Sequence, residues 1–176
     1  MSSWAEHLDA LVRERGPALL RYGYLLTGST ADAEELVQEA LVRVLARRPR
    51  LRAQVTLESY VRRTMLTATV DAGRRTQRWR RVSHLLASPE TAADAFGSTE
   101  HRSALAAGLA TLSPQQRACV VLRYVDDLSG PEIAETLGLS IGAVKRYLSD
   151  GVARLGRVIG PVDSPDDVAP VRGGAR

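Results

Sequence analysis

Apolar residues recur along the chain three or four positions apart, and no stretch alternates apolar with polar residues as a β-strand would. The clearest stripe begins at Ala33 and continues at positions 36, 37, 40, 41, 44 and 45. Ser29 follows a Thr-Gly turn and is the expected N-cap of this helix, with Asp32 at its third position. The pattern predicts an all-α protein.

A second stripe predicts a helix from about Leu57, with apolar or small residues repeating to Ala68. Three serine caps divide the C-terminal half of the chain, and the first two, Ser113 and Ser129, match the capping box. With Ser140 as the third cap, we expect helices over about 114–126, 130–137 and 141–155.

Only three residues, Gly138-Leu139-Ser140, join the last two predicted helices, which is helix-turn-helix spacing. Gly138 can take the left-handed conformation that such a turn needs. The residues expected to face inward are Ile133, Ala134, Leu137, Ile141, Val144 and Leu148.

Composition excludes several classes of protein. The 176 residues, of which 44% are hydrophobic and 25% charged, suit one domain or two small ones. A lone cysteine, Cys119, forms no disulfide framework and is expected to be buried, and the three histidines stand too far apart for a zinc site. No apolar run is long enough to span a membrane, and the N-terminus does not resemble a signal peptide. We expect a soluble, cytoplasmic protein without a cofactor.

The net charge of +4 hides an uneven distribution. Residues 43–81 contain twelve arginines against two acidic residues, a local charge of +10, and the rest of the chain sums to −6. These arginines could cover a solvated helical surface. Most of them lack an acidic partner four residues away, however, so they would repel one another. The segment therefore favours contact with nucleic acid.

Prolines and glycines mark the borders of the predicted units. We expect a first helical domain over 1–81, a flexible linker over 82–100 and a helix-turn-helix domain over 101–160. The tail, 161–176, is poor in large apolar residues and rich in turn formers, so we expect it to be disordered.

The chain resembles the extracytoplasmic-function (ECF) sigma factors of bacterial RNA polymerase over nearly its whole length. Leu25–Glu39, which reads LLTGSTADAEELVQE, is similar to region 2 of that family. Leu112-Ser-Pro-Gln-Gln-Arg117 opens a segment similar to region 4, which continues through Ile133–Lys145. The Tyr-Leu-Leu-Thr-Gly opening and Ser59-Tyr-Val-Arg-Arg63 look most like the actinobacterial SigE-family subgroup. The resemblance implies a non-catalytic promoter-specificity subunit whose partners are core RNA polymerase and promoter DNA.

In the family, the acidic helix of region 2 docks on the clamp helices of the largest polymerase subunit. The helix dipole and solvation would explain acidic residues in the first turn, but less readily Gln38 and Glu39 beyond it. The resemblance assigns polymerase binding to Asp32, Glu35, Leu36, Gln38 and Glu39.

The arginine-rich helix corresponds to the part of the family that holds the minus-ten promoter region. The segment Met65–Gly73 lacks the asparagine and aromatic that family members often carry there. The residues assigned to minus-ten DNA are Arg62, Arg63, Asp71, Arg74, Arg75 and Arg78.

The last predicted helix corresponds to the recognition helix for the minus-thirty-five element. Tyr147 and Asp150 stand where the family commonly has positive residues, and losing two phosphate contacts would weaken binding. The resemblance assigns Arg117 and Arg123 to this element as phosphate contacts. The other residues assigned to it are Ser140, Gly142, Ala143, Lys145, Arg146 and Ser149.

Two other functions are compatible with parts of the sequence. A helix-turn-helix regulator that works without polymerase would need only residues 101–160, and the region-2-like block argues against it. An enzyme would have to use carboxylates such as Asp126 and Asp127, but the sequence shows no facing cluster, phosphate loop or nucleophile with its base. The flexible linker would permit an anti-sigma protein to clamp between the domains.

Overall fold

A computed structural model describes residues 4–48, 55–82 and 100–160. Within these ranges it describes the side chains as well, except those of residues 74–82 and 100–103. Every regular element in these ranges is an α-helix, which confirms the predicted fold class. The chain divides into two compact units, Met1–Gly97 and Ser98–Arg176. Residues 83–99 of the predicted linker and the predicted tail, 161–176, lie outside the described residues.

The first unit contains three helices, α1 (Trp4–Thr27), α2 (Thr30–Arg47) and α3 (Leu57–Val82). Each of them packs against the other two. The stripe that begins at Ala33 faces this core, although Leu41 is half-buried and Leu45 is exposed at its far end. The buried side chains include Leu19, Tyr22, Leu26, Ala33, Val37, Ala40, Val44, Val61, Met65 and Leu66.

A glycine of α1, Gly23, lies in close contact with both other helices of the unit. A Cβ atom on Gly23 would lie 3.2 Å from the Ala33 carbonyl oxygen and 3.2 Å from Met65 Cε. At the end of α1, Gly28 takes φ 77°, and Ser29 caps α2 as predicted, its Oγ accepting from the Asp32 amide at 3.3 Å. The start of α2 is therefore held to the core and to its own cap.

The second unit contains α4 (Glu100–Ala110), α5 (Pro114–Tyr124), α6 (Gly130–Leu137) and α7 (Ile141–Ile159). The other three helices all pack on α7. The predicted bounds of α5, α6 and α7 differ from the observed ones only at two C-termini. Helix α5 ends two residues before the predicted position 126, and α7 ends four residues after the predicted position 155. The buried side chains include Leu109, Leu112, Cys119, Val121, Ile133, Leu137, Val144, Leu148 and Leu155.

Both predicted capping boxes are formed, at Ser113 and at Ser129. Gly138 adopts φ 61° and ψ 42°, so the turn between α6 and α7 has the expected left-handed residue. The inward positions were predicted correctly except Ile141, which is 50% exposed because it begins α7, ahead of the first buried residue, Val144.

Cys119 is buried as predicted, and burial raises the pKa of its thiol to about 12. Among the side chains that the structure describes, no group of His, Cys, Asp or Glu is arranged to hold a metal ion. The helices in the described ranges are also too short or too polar to cross a membrane.

Candidate functional site

The outward face of α2 is acidic. Glu34, Glu35, Gln38 and Glu39 are all exposed, opposite the buried row that packs on α1 and α3. Val42, one turn beyond Gln38 and Glu39, is 66% exposed, so an apolar side chain continues the carboxylate face. The arrangement offers negative charge with an apolar end, which suits a basic partner surface.

Two of the residues assigned to polymerase binding, Asp32 and Leu36, lie outside the exposed group of Glu34, Glu35, Gln38 and Glu39. Asp32 is exposed at the first turn of α2, where its amide is capped by Ser29 and its carboxylate lies favourably at the positive end of the helix dipole. Leu36 is only 7% exposed and belongs to the core. It lies on the row of α2 that packs inward, and its assignment as a polymerase contact stays a prediction.

The arginines of α3 fall into two groups. Arg63 is exposed, and so is Asp71, which lies about two helical turns further along α3. Arg74, Arg75 and Arg78 lie within α3, but their side chains are outside the described part of the chain. Arg63 is therefore the arginine of this set that the structure shows on the surface.

Arg62 is half-buried and bound within the unit. Its Nη2 donates to Glu58 Oε1 at 2.7 Å, and its guanidinium lies over the ring of Tyr22, 5.0 Å from the centroid. The same Glu58 carboxylate accepts two hydrogen bonds from Arg15 of α1. The hydrogen bonds from Arg15, followed by the charge of Arg62, lower the pKa of Glu58 against the opposing effect of burial. Arg62 thus links α1 to α3, and its assignment to minus-ten DNA stays a prediction.

The outward face of α7 carries most of the residues assigned to the minus-thirty-five element. Lys145, Arg146 and Ser149 are exposed, and the guanidinium of Arg146 lies 5.4 Å from the centroid of the Tyr147 ring. Gly142 has open space around it, since a Cβ atom there would meet nothing within 4 Å. Its neighbour Ala143 is half-buried.

The beginning of this face is built by backbone geometry. Ser140 Oγ accepts from the amide of Ala143 at 3.2 Å and so caps α7. Small side chains at the first turn leave room for close approach, and the positive end of the helix dipole points the same way. Such an end can lie against the edge of a DNA groove.

Arg117 does not belong to that face. It is 8% exposed, and its Nε and Nη2 donate to the Leu109 carbonyl oxygen at 3.0 and 2.7 Å, which ties α5 to the end of α4. Its guanidinium is thus occupied within the second unit, and its assignment as a phosphate contact stays a prediction. Arg123 is half-buried and donates from Nη1 to the Leu128 carbonyl at 3.1 Å, so it braces the loop before α6.

Each of the two units matches a known protein-family model. The family model "Sigma-70 region 2" matches residues 11–81, and "Sigma-70, region 4" matches residues 102–155. The chain therefore belongs to the sigma-70 family of RNA polymerase sigma factors, which are non-catalytic initiation factors.

Curated relatives define the type more narrowly. The chain is 37% identical over 152 residues to the RNA polymerase sigma-E factor of Streptomyces avermitilis, covering 84% of this chain and 82% of that one. It is 35% identical to the sigma-E factor of Streptomyces coelicolor over the same shares. It is 32% identical to the ECF sigma factor SigE of Mycolicibacterium smegmatis, covering 88% and 61%. This is a sigma factor of the ECF type, which mediates promoter-specific initiation of transcription.

A solved structure agrees with the fold. The sigma factor RpoE of Bartonella quintana, in complex with the anti-sigma factor NepR, matches with a TM-score of 0.62 and 21% identity over 86% of this chain and 96% of that chain. The likeness supports the all-α fold.

Two features of these surfaces were not predicted from the sequence. Val42 lies outside the inward stripe, and the signal that could indicate its role is an apolar residue on the polar side of an amphipathic helix. The contact between Arg15 and Glu58 joins residues 43 positions apart, and no local pattern indicates it.

Proposed function

We propose that the two units act at two promoter elements while α2 holds core RNA polymerase. The first unit would hold the minus-ten region with Arg63, Asp71, Arg74, Arg75 and Arg78. The second would recognise the minus-thirty-five element with α7. Because its partners would be core RNA polymerase and promoter DNA, the protein would act in the cytoplasm.

The observation that carries this proposal is the geometry of α6 and α7. Gly138 makes the left-handed turn, Ser140 caps the second helix, and Lys145 and Arg146 are exposed within its first two turns. A second helix presented in this way fits the major groove, where its N-terminal residues meet base edges. The exposed Ser149 continues the same surface.

The docking part of the proposal is supported by charge. Glu35, Gln38 and Glu39 form an exposed acidic face on a helix whose opposite side is fully used in the core. Such a face would meet a basic surface of the polymerase, with Val42 supplying apolar contact. Charge complementarity of this kind raises the rate of association and restricts the choice of partner.

Energetics favour a subunit over a self-sufficient DNA-opening protein. Separating about five base-pair steps costs roughly 7 kcal/mol at about 1.4 kcal/mol per step. The whole margin between specific and non-specific DNA binding is about 4–10 kcal/mol. Stable opening would therefore need the additional strand contacts that the polymerase provides.

An anti-sigma factor is a further candidate partner. The RpoE of Bartonella quintana was solved with the anti-sigma factor NepR. We propose that this chain is also held inactive by such a protein, which would cover surfaces of one or both units.

Reconstitution with core polymerase from a Streptomyces species tests the proposal. The protein should co-migrate with core and direct transcription from promoters selected out of a random DNA library. Replacing Lys145 by Ala should weaken promoter binding and lower the slope of log K against log salt by about one unit. The matched control Arg157→Ala removes one charge from the far end of α7. Operator binding without any association with core would instead identify a stand-alone regulator.

A further inference from the structure

The recognition helix α7 contains a single acidic residue. Between Ile141 and Ile159 there are four basic residues, Lys145, Arg146, Arg154 and Arg157, and one carboxylate, Asp150. Asp150 is exposed. A carboxylate on a helix that approaches DNA is repelled by phosphates, so its position on the helix decides what it can do.

Asp150 lies on the side of α7 that faces away from the core. The buried row of the helix is Val144, Leu148, Gly151, Val152 and Leu155. At 3.6 residues per turn, Arg146 and Asp150 fall opposite that row, one turn apart. The rise between them is about 6 Å along the helix axis. Arg146 and Asp150 therefore lie on the same outward face of α7, the face that would enter a major groove.

The cations one turn before and one turn after Asp150 on α7 do not form an ion pair with it. Arg146, four residues before it, lies over the Tyr147 ring, 5.4 Å from the centroid. Arg154, four residues after it, donates from Nη1 to the Thr111 carbonyl at 3.2 Å. Among the described side chains, no ion pair involves Asp150. Its carboxylate is thus available to accept a hydrogen bond from outside the protein.

The edges of base pairs limit what such a carboxylate can bind. In the major groove the hydrogen-bond donors are the amino groups of cytosine and adenine, and the guanine and thymine edges present acceptors. Adenine places its own N7 acceptor beside its amino group, where a carboxylate would be repelled, whereas cytosine carries no acceptor of its own on that edge and its amino group is the one that Asp and Glu commonly accept from. Cytosine is therefore the base that Asp150 fits.

We propose that Asp150 reads a cytosine in the minus-thirty-five element, next to the base pair contacted by Arg146. The inference rests on the proposed recognition of that element by α7. It makes Asp150 a specificity-determining residue that disfavours guanine and thymine at one position, at a cost in general attraction to DNA.

The test is selection of upstream promoter sequences by holoenzyme. Core polymerase from a Streptomyces species, loaded with wild-type protein or a variant, would select from promoter fragments with a randomised upstream element. The variants are Asp150→Asn, Asp150→Ala and, as a charge-matched control, Glu135→Gln on the neighbouring helix α6, where Glu135 is exposed.

Wild type should enrich cytosine at one upstream position by about tenfold. Asp150→Ala should flatten that position alone, and Asp150→Asn should shift it toward adenine, since an amide can pair with the adenine edge. Glu135→Gln should leave the preference in place. If both Asp150 variants select the wild-type sequence, the assignment of Asp150 is wrong while upstream recognition stands. If wild type selects no upstream sequence at all, the recognition by α7 fails, and the role of Asp150 fails with it.

Discussion

Glu58 of α3 accepts hydrogen bonds from both Nε and Nη2 of Arg15 in α1, at 2.8 and 3.2 Å, across 43 positions of sequence. Its Oε1 also accepts from Arg62 one turn further along α3. One carboxylate therefore joins two helices of the first unit and fixes the arginine that lies over Tyr22.

Replacing Glu58 by Gln should make the stability of the first unit less dependent on pH. The folded state lowers the pKa of Glu58 below the ordinary value of 4.5, so the stabilisation is complete above that value and is lost as the pH falls through the lower pKa of the folded state. Because the pair is partly solvated, the loss at neutral pH should be about 0.5–1 kcal/mol. Urea unfolding at pH 6 and at lower pH measures the difference.

The two proteins should converge in stability at acidic pH, where Glu58 is protonated in the wild type. A difference between wild type and Glu58→Gln that stays constant from pH 6 down to pH about 3 would contradict this account.

Replacing Arg117 by Met should destabilise the second unit by about 2–3 kcal/mol, because the Leu109 carbonyl would lose a charged donor in a buried site. Thermal unfolding followed by helical circular dichroism measures the change. The matched control is Arg154→Met, which removes a single contact to the Thr111 carbonyl at the exposed surface and should cost less than about 1 kcal/mol.

The assignment of Arg117 to the interior would fail if Arg117→Met left stability unchanged and instead lowered the salt slope of DNA binding by about one unit.

Replacing Gly23 by Ala should destabilise the first unit by about 1–3 kcal/mol. The added methyl group would lie 3.2 Å from the Ala33 carbonyl oxygen, so α1 and α2 would have to separate. Gly156→Ala in α7 is the control, since its methyl group would meet nothing within 4 Å and should stabilise its helix by up to about 1 kcal/mol. Equal effects of the two substitutions in chemical denaturation would argue against close packing at Gly23.

Reversing the charge of Glu35 and Glu39 together should weaken association with core polymerase by about tenfold or more, because both carboxylates lie on the exposed face of α2. Surface binding assays with immobilised core give the affinity. The fold should be intact, since among the described side chains the reversal breaks one ion pair, the exposed pair of Glu39 with Arg43. Glu14→Arg on α1, also exposed, is the control, and unchanged affinity of the double variant would exclude α2 as the docking face.

Local chemistry explains why much of the fold could be predicted. Caps such as Ser29 and Ser129 act on amides three residues away, and Gly138 supplies its own left-handed conformation, so each is visible in a short window of sequence. The inward rows of α2 and α7 follow from helical periodicity alone.

The candidate site was harder to predict because long side chains are directed by tertiary neighbours. Arg117 and Arg62 look like phosphate contacts in the sequence, but a buried carbonyl and a carboxylate of the same unit bind them. Leu36 stands within a docking motif, yet its place on the helix sends it to the core. Sequence gives the charge of such residues, and only the packing decides whether that charge reaches the surface.

The burial of Cys119 makes the chain convenient for labelling. It is the only cysteine in the sequence, it is fully buried, and a thiol with a pKa of about 12 hardly ionises at neutral pH. Since the thiolate is the reactive form, the native protein should react very slowly with maleimide dyes. One cysteine introduced on the surface of each unit could then carry a fluorophore pair, and energy transfer would follow the separation of the units as polymerase and promoter bind.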